Sequence, residues 1–183
     1  MGNSIILDPY DVYRMTTGMG KSMQELLAAS VELNVVDGVI LPNLKMQGTK
    51  EACAYLDEEG RCSIHPYRPG ICRLFPLGRY YENGGFSYFL QTGECAKENR
   101  SKIKVSKWID TPDLTRNQQF TLQWHDLLHA MEERLTGEDE GKQREENLLL
   151  LRLFYLLPYE GTIDFYTQFT ERMEHWNGQN GQI

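Results

Sequence analysis

The stretch C-A-Y-L-D-E-E-G-R-C-S-I-H-P-Y-R-P-G-I-C-R-L-F-P-L-G-R, residues 53–79, places three of the chain's four cysteines in a segment rich in turn-forming glycine and proline. Cys62 follows Gly60, Cys72 follows Pro69-Gly70, and the fourth cysteine, Cys95, follows Gly93. Backbone that has just turned can wrap a small centre. Cys53, Cys62, Cys72 and Cys95 are therefore read as converging on one zinc ion or iron-sulfur centre, since four thiolates match tetrahedral zinc or a cubane cluster. Eight, nine and 22 residues separate successive cysteines, so the reading is of separate turns meeting rather than of a zinc-finger knuckle. The fold class expected is α+β, with short β-hairpins around the cysteine site, short helices before it and a three-helix part after it.

The same turn chemistry recurs on either side. VELNVVDGVILP, residues 31–42, has β-branched residues flanking Asp37-Gly38, and GRYYENGGFSYFLQ, residues 78–91, has aromatic runs flanking Asn83-Gly84-Gly85. Both read as hairpins, because these turn residues tolerate positive φ. AYLDEEGRCSIH, residues 54–65, turns at Glu59-Gly60 and would set Cys53 and Cys62 at opposite ends of a third hairpin. Nearer the N-terminus, Asp8-Pro9 has the character of an N-cap and first helical residue, and Ser22 with Glu25 resembles a capping box. Two short helices are expected there.

Residues 96–183 contain no cysteine and carry helical periodicity. Phe120, Trp124, Leu127, Leu128, Met131 and Leu135 recur on one face, as do Ile163, Tyr166, Phe169, Met173 and Trp176. LLLLRLFYLLP, residues 148–158, is apolar nearly all round and ends at proline, as the central helix of a small bundle would. GEDEGKQREEN, residues 137–147, reads as an acidic linker. The organisation expected is a cysteine-bearing part over residues 1–110 and a helical part over 111–183 packed on it, with the boundary near Trp108 to Pro112.

At 183 residues the chain is long enough to bury a core without depending on a metal for all its folding energy. Its 40% hydrophobic and 25% charged residues are ordinary for a globular protein. No apolar run approaches the roughly 20 residues of a membrane helix. The net charge of −7 and pI near 5.1 oppose broad nucleic-acid binding, which needs a basic surface. The opening MGNSIILDPYDVYRM lacks the plan of a secretory signal, so a cytoplasmic location is expected. In a reducing compartment clustered cysteines are metal or redox groups more often than disulfides.

Arg61, Arg68, Arg73 and Arg79 fall within the cysteine segment, where they are expected to offset thiolate charge and lower the thiol pKa values. The competing reading makes the cysteines small buried hydrophobes and the arginines a solvated face. His65, three residues after Cys62, offers an imidazole in place of one thiolate, against the plainer reading of a surface histidine before Pro66. His125 and His129, four apart on a helix, could pair on a metal but lack the glutamate of an HExxH motif, and read as ordinary helix-surface residues. The aromatic hairpin of Tyr80, Tyr81, Phe86, Tyr88 and Phe89 suggests a protein partner if exposed and core packing if not.

The core G-x-C-x-I-x-x-x-R-P-x-x-C-R-x-F-P, Gly60 to Pro76, resembles the YkgJ-like cysteine-cluster family, described as a zinc- or iron-chelating domain. LDPYDVYRMTTGMGKSMQELL is similar to the family's helical entry segment, so the resemblance covers roughly residues 4–100. Relatives typically open with a C-x-x-C-x-x-C-C cluster upstream of the segment equivalent to Ser4–Asp11, and this sequence has no such cluster. The resemblance implies a ligand role for Cys53, Cys62, Cys72 and Cys95. It also brings in an enzymatic alternative, an iron-sulfur-dependent oxidoreductase or a protein lysine N-methylase. Against that alternative the sequence holds no nucleotide-binding glycine loop after a strand and no radical S-adenosylmethionine motif.

Overall fold

A computed structural model of the chain describes residues 4–49, 51–93 and 102–180. The first two helices begin where local hydrogen bonding dictates. Asp8 caps α1 (Pro9–Met19) through a reciprocal box with Asp11, proline sits in the first turn, and Gly20 in the left-handed region ends it. Ser22 and Glu25 form the same box at the start of α2 (Met23–Ala29).

Three antiparallel hairpins follow, each a two-stranded sheet. β1 (Val31–Val36) pairs with β2 (Val39–Leu44) in the register Val36 to Val39, turning on Asp37 and Gly38, both at positive φ. The N-terminal segment adds a partial third edge, with Leu7 N–H donating to Pro42 O and Leu44 N–H to Ile5 O. β3 (Met46–Gln47) and β4 (Ala52–Cys53) are two residues each. After a 3-10 turn (His65–Tyr67) and the five-residue α3 (Gly70–Leu74), β5 (Leu77–Glu82) and β6 (Gly85–Leu90) pair across Asn83-Gly84.

The second half is helical: α4 (Val105–Ile109), α5 (Leu114–Leu135), α6 (Glu140–Leu151) and α7 (Phe165–Asn180). α6 widens into a π-turn (Arg152–Leu156) before Pro158, and the buried Arg172 of α7 donates to the carbonyls of Leu153, Leu157 and Pro158 that this ending leaves open. The stretch read as an acidic linker is instead the start of α6. Asp139 caps it, Glu146 is buried in an ion pair with Arg134 at 2.7 Å, and Asn147 bonds Ile40 N–H and Gly38 O of the first hairpin. Glu146 and Asn147 face protein partners, which a hydropathy pattern cannot show.

The α+β expectation holds, with hairpins, two N-terminal helices and three long C-terminal ones. One apolar core joins Leu7, Val12 and Met15 to Phe120, Phe154 and Trp176. Buried Tyr155 closes it by donating its hydroxyl to Leu7 O at 3.0 Å. None of the described helices is long and apolar enough to cross a membrane.

Candidate metal centre

Three of the four candidate cysteines come from three separate short elements. Cys53 ends β4 opposite Met46. Beyond it the chain turns through Asp57, whose carboxylate accepts from the Glu59 and Arg61 N–H groups, and Gly60 at φ 74° completes the reversal. Cys62 then bridges back to Leu56, and Ser63 N–H reaches Tyr55 O. The expected turn is present, and the returning strand meets residues 55–56 rather than Cys53 itself. Cys72 is the third residue of α3.

The three thiols are free, half-buried and packed against the edge of the apolar core. They feel one another's charge. Burial first, then Asp11, Cys53 and Cys62, push the Cys72 thiol up to about 12, with Arg68 opposing. Burial also raises Cys53, opposed by a hydrogen bond from the Tyr55 backbone and reinforced by Cys62. Such thiols stay protonated at neutral pH and are poor nucleophiles, whereas a bound metal would deprotonate them outright. The donor chemistry fits a thiophilic metal. Among the described residues, however, no three His, Cys, Asp or Glu side chains are already gathered around one point. The thiols are neighbours at electrostatic range, and a metal would have to draw them together. Cys95 lies outside the described residues.

The arginines divide by role. Arg68 lowers Cys72 against the upward push of burial, and its buried Nε has no hydrogen-bond partner among the described residues. Arg73 is buried and donates to the carbonyls of Pro66, Arg68 and Asp110, tying the loop before α3 to the end of α4. Arg61 is exposed and pairs with Asp57 and Glu59. Arg79 lies on β5 with its guanidinium over Phe86, electrostatically coupled to Asp8.

Asp11 was missed as a site-positioning group. Buried in α1, it accepts the Gly70 N–H at 2.7 Å and so fixes the start of the helix that carries Cys72. Burial, and then the neighbouring Asp8, hold its carboxyl well above the usual range. The D-P-Y-D spacing announces a capping box but not this second, long-range bond. His65 is exposed in the 3-10 turn. On the aromatic hairpin Tyr80 and Phe89 face outward, while Tyr81, Phe86 and Tyr88 are half-buried with Tyr81 against His125.

Comparison with curated proteins and with solved structures returns no match. Residues 11–87, a span that holds Asp11, Cys53, Cys62 and Cys72 and stops short of Cys95, match the model of the CxxCxxCC family, described as a zinc- or iron-chelating domain.

Proposed function

We propose that the chain is a metal-binding protein in which Cys53, Cys62 and Cys72, joined by Cys95, hold zinc or an iron-sulfur centre in a structural role. The observation that supports this reading most strongly is that β4, the following turn and α3 bring three free, half-buried thiols within electrostatic range of one another. Those elements are too short to be stable alone: two-residue strands and a five-residue helix make few hydrogen bonds of their own. A metal bridging them supplies the cross-link that apolar burial does not. The similarity of residues 11–87 to a zinc- or iron-chelating family supports the same class of ligand.

The bound metal would take the three elements as one unit, with Asp11 holding the start of α3 and Arg73 holding the loop before it. Arg68, beside Cys72, offsets part of the negative charge that several thiolates bring to one centre. The test is metal content of Cys62→Ser and Cys72→Ser against the parent chain. Each substitution should release most of the metal and lower stability by several kcal/mol, on the order of 2–5. Metal content equal to the parent's in either variant would refute that residue's ligand role.

A further inference from the structure

On the other side of α3 from Cys72 lies a second feature that the cysteine centre does not use. Ile71 and Leu74 of α3 line a cleft of about 500 Å³, walled by the start of α1, by β5 and by the middle of α5. That volume suits a small organic molecule. Its lining is more apolar than polar, with Leu41, Leu74, Trp124 and Leu128, and its polar groups include Asp8, Asp11, Arg79, Tyr81 and His125.

The two aspartates are already committed. Asp8 accepts the Asp11 N–H, and the two oxygens of Asp11 accept from Gly70 N–H and Asp8 N–H. They cap and join elements, and offer little to a cationic guest. Arg79 is different. Its guanidinium is steadied over the Phe86 ring at 5.4 Å and lies beside Tyr81, yet its Nε is buried without a hydrogen-bond partner among the described residues. Asp8 acts on it electrostatically, but among the described residues no carboxylate lies within the 4.0 Å of an ion pair. A positioned guanidinium with no ion-pair partner among the described residues is one that a carboxylate fits, because its planar fork donates two parallel N–H bonds to the two oxygens at once. His125, half-buried and packed edge-on against Tyr81, adds an imidazole along the same wall. At the mouth, exposed Asp37 and Glu132 disfavour guests with further negative charge.

We propose that this cleft binds a small monocarboxylic acid with an apolar body, the carboxylate pairing with Arg79 and the hydrocarbon part lying against Leu74 and Trp124. The guest stays outside the cysteine centre, and the site stands whether or not that centre holds metal. The carboxylate compensates a half-buried cation that has no ion-pair partner among the described residues, and the tail covers apolar surface that lines the cleft.

The experiment titrates the full chain with hexanoate and 3-phenylpropionate, with hexylamine and phenethylamine as the opposite-charge pair, by calorimetry and by the NMR signals of His125 and Trp124. The carboxylates should bind and shift both signals. Arg79→Gln should weaken binding on the order of tenfold or more, Arg79→Lys should weaken it less, and Arg116→Gln, at an exposed pair with Asp164, should leave it unchanged. Circular dichroism checks that each variant is folded, and the Lys variant carries the test if the Gln variant is not. No carboxylate binding at millimolar concentration, preference for the amines, or parental affinity in both Arg79 variants would overturn the proposal.

Discussion

In the helical half, Phe120, Phe154, Phe165, Phe169 and Trp176 are buried against one another, whereas between residues 51 and 93 the buried residues are Ile64, Pro69, Arg73, Leu74 and Gly78. One region excludes water with aromatic rings in contact at centroid separations such as 4.8 Å for Phe120 and Phe169. The other is a run of turns stitched by polar side chains: Asp57 across its turn, Arg73 to three carbonyls, Asp11 to Gly70. The lesson is about where a metal matters. The helical core has its own driving force, and the cysteine segment has geometry without much apolar burial.

Trp176 is the largest fully buried side chain of the helical core. Trp176→Ala should destabilise the whole chain by about 3–5 kcal/mol, measured by denaturant unfolding, because a fully buried indole is lost from a core that cannot close the gap. A loss below about 1 kcal/mol would mean that the core is looser than its burial indicates. Arg73→Met tests the other region. It removes the shared donor to the carbonyls of Pro66, Arg68 and Asp110, of which Pro66 keeps only Arg14, and should cost about 2–4 kcal/mol, with hydrogen exchange accelerating around residues 66–74 and the α5–α7 amides protected as before. Equal acceleration in the helices would erase the distinction between the two regions.

A smaller effect sharpens it. Cys72, pushed up to about 12, and Cys53, also raised, carry their protons at pH 7 in the metal-free chain, so a metal must displace them. Proton competition then weakens metal binding as the pH falls and strengthens it as the pH rises. Calorimetry in buffers of different ionisation enthalpy should count at least the protons of Cys53 and Cys72 released per metal. Uptake with no proton release would contradict thiolate ligation.

Much of this division was legible in the sequence, and for a local reason. Asp8-Pro9, Ser22 with Glu25, Asp37-Gly38 and Asn83-Gly84 act within a few residues of themselves, so the caps and hairpins they announce are the ones observed. The apolar periodicity of Phe120 to Leu135 likewise turns inward, as does that of Tyr166 to Trp176, whereas Ile163, counted with the second, precedes α7 and is exposed. What failed was long-range. Glu146 and Asn147 read as linker because their partners, Arg134 and the Gly38–Ile40 backbone, lie far away in sequence. The four arginines of the cysteine segment looked alike, and only tertiary placement separates Arg68 beside Cys72 from Arg73 among carbonyls and Arg79 in the cleft. His125 was read as an ordinary surface residue for the same reason: nothing near it in sequence shows Tyr81 against its ring.

The central claim is that thiolates bind a metal and hold the cysteine segment together. The most direct measurement is metal analysis with an ultraviolet-visible spectrum on chain purified without oxygen, followed by hydrogen exchange before and after a chelator. The account predicts about one metal centre per chain, colourless if zinc and brown with sulfide if a cluster, and loss of protection over residues 51–93 alone when it is removed. Metal-free protein whose cysteine segment is as well protected as its helices would contradict it.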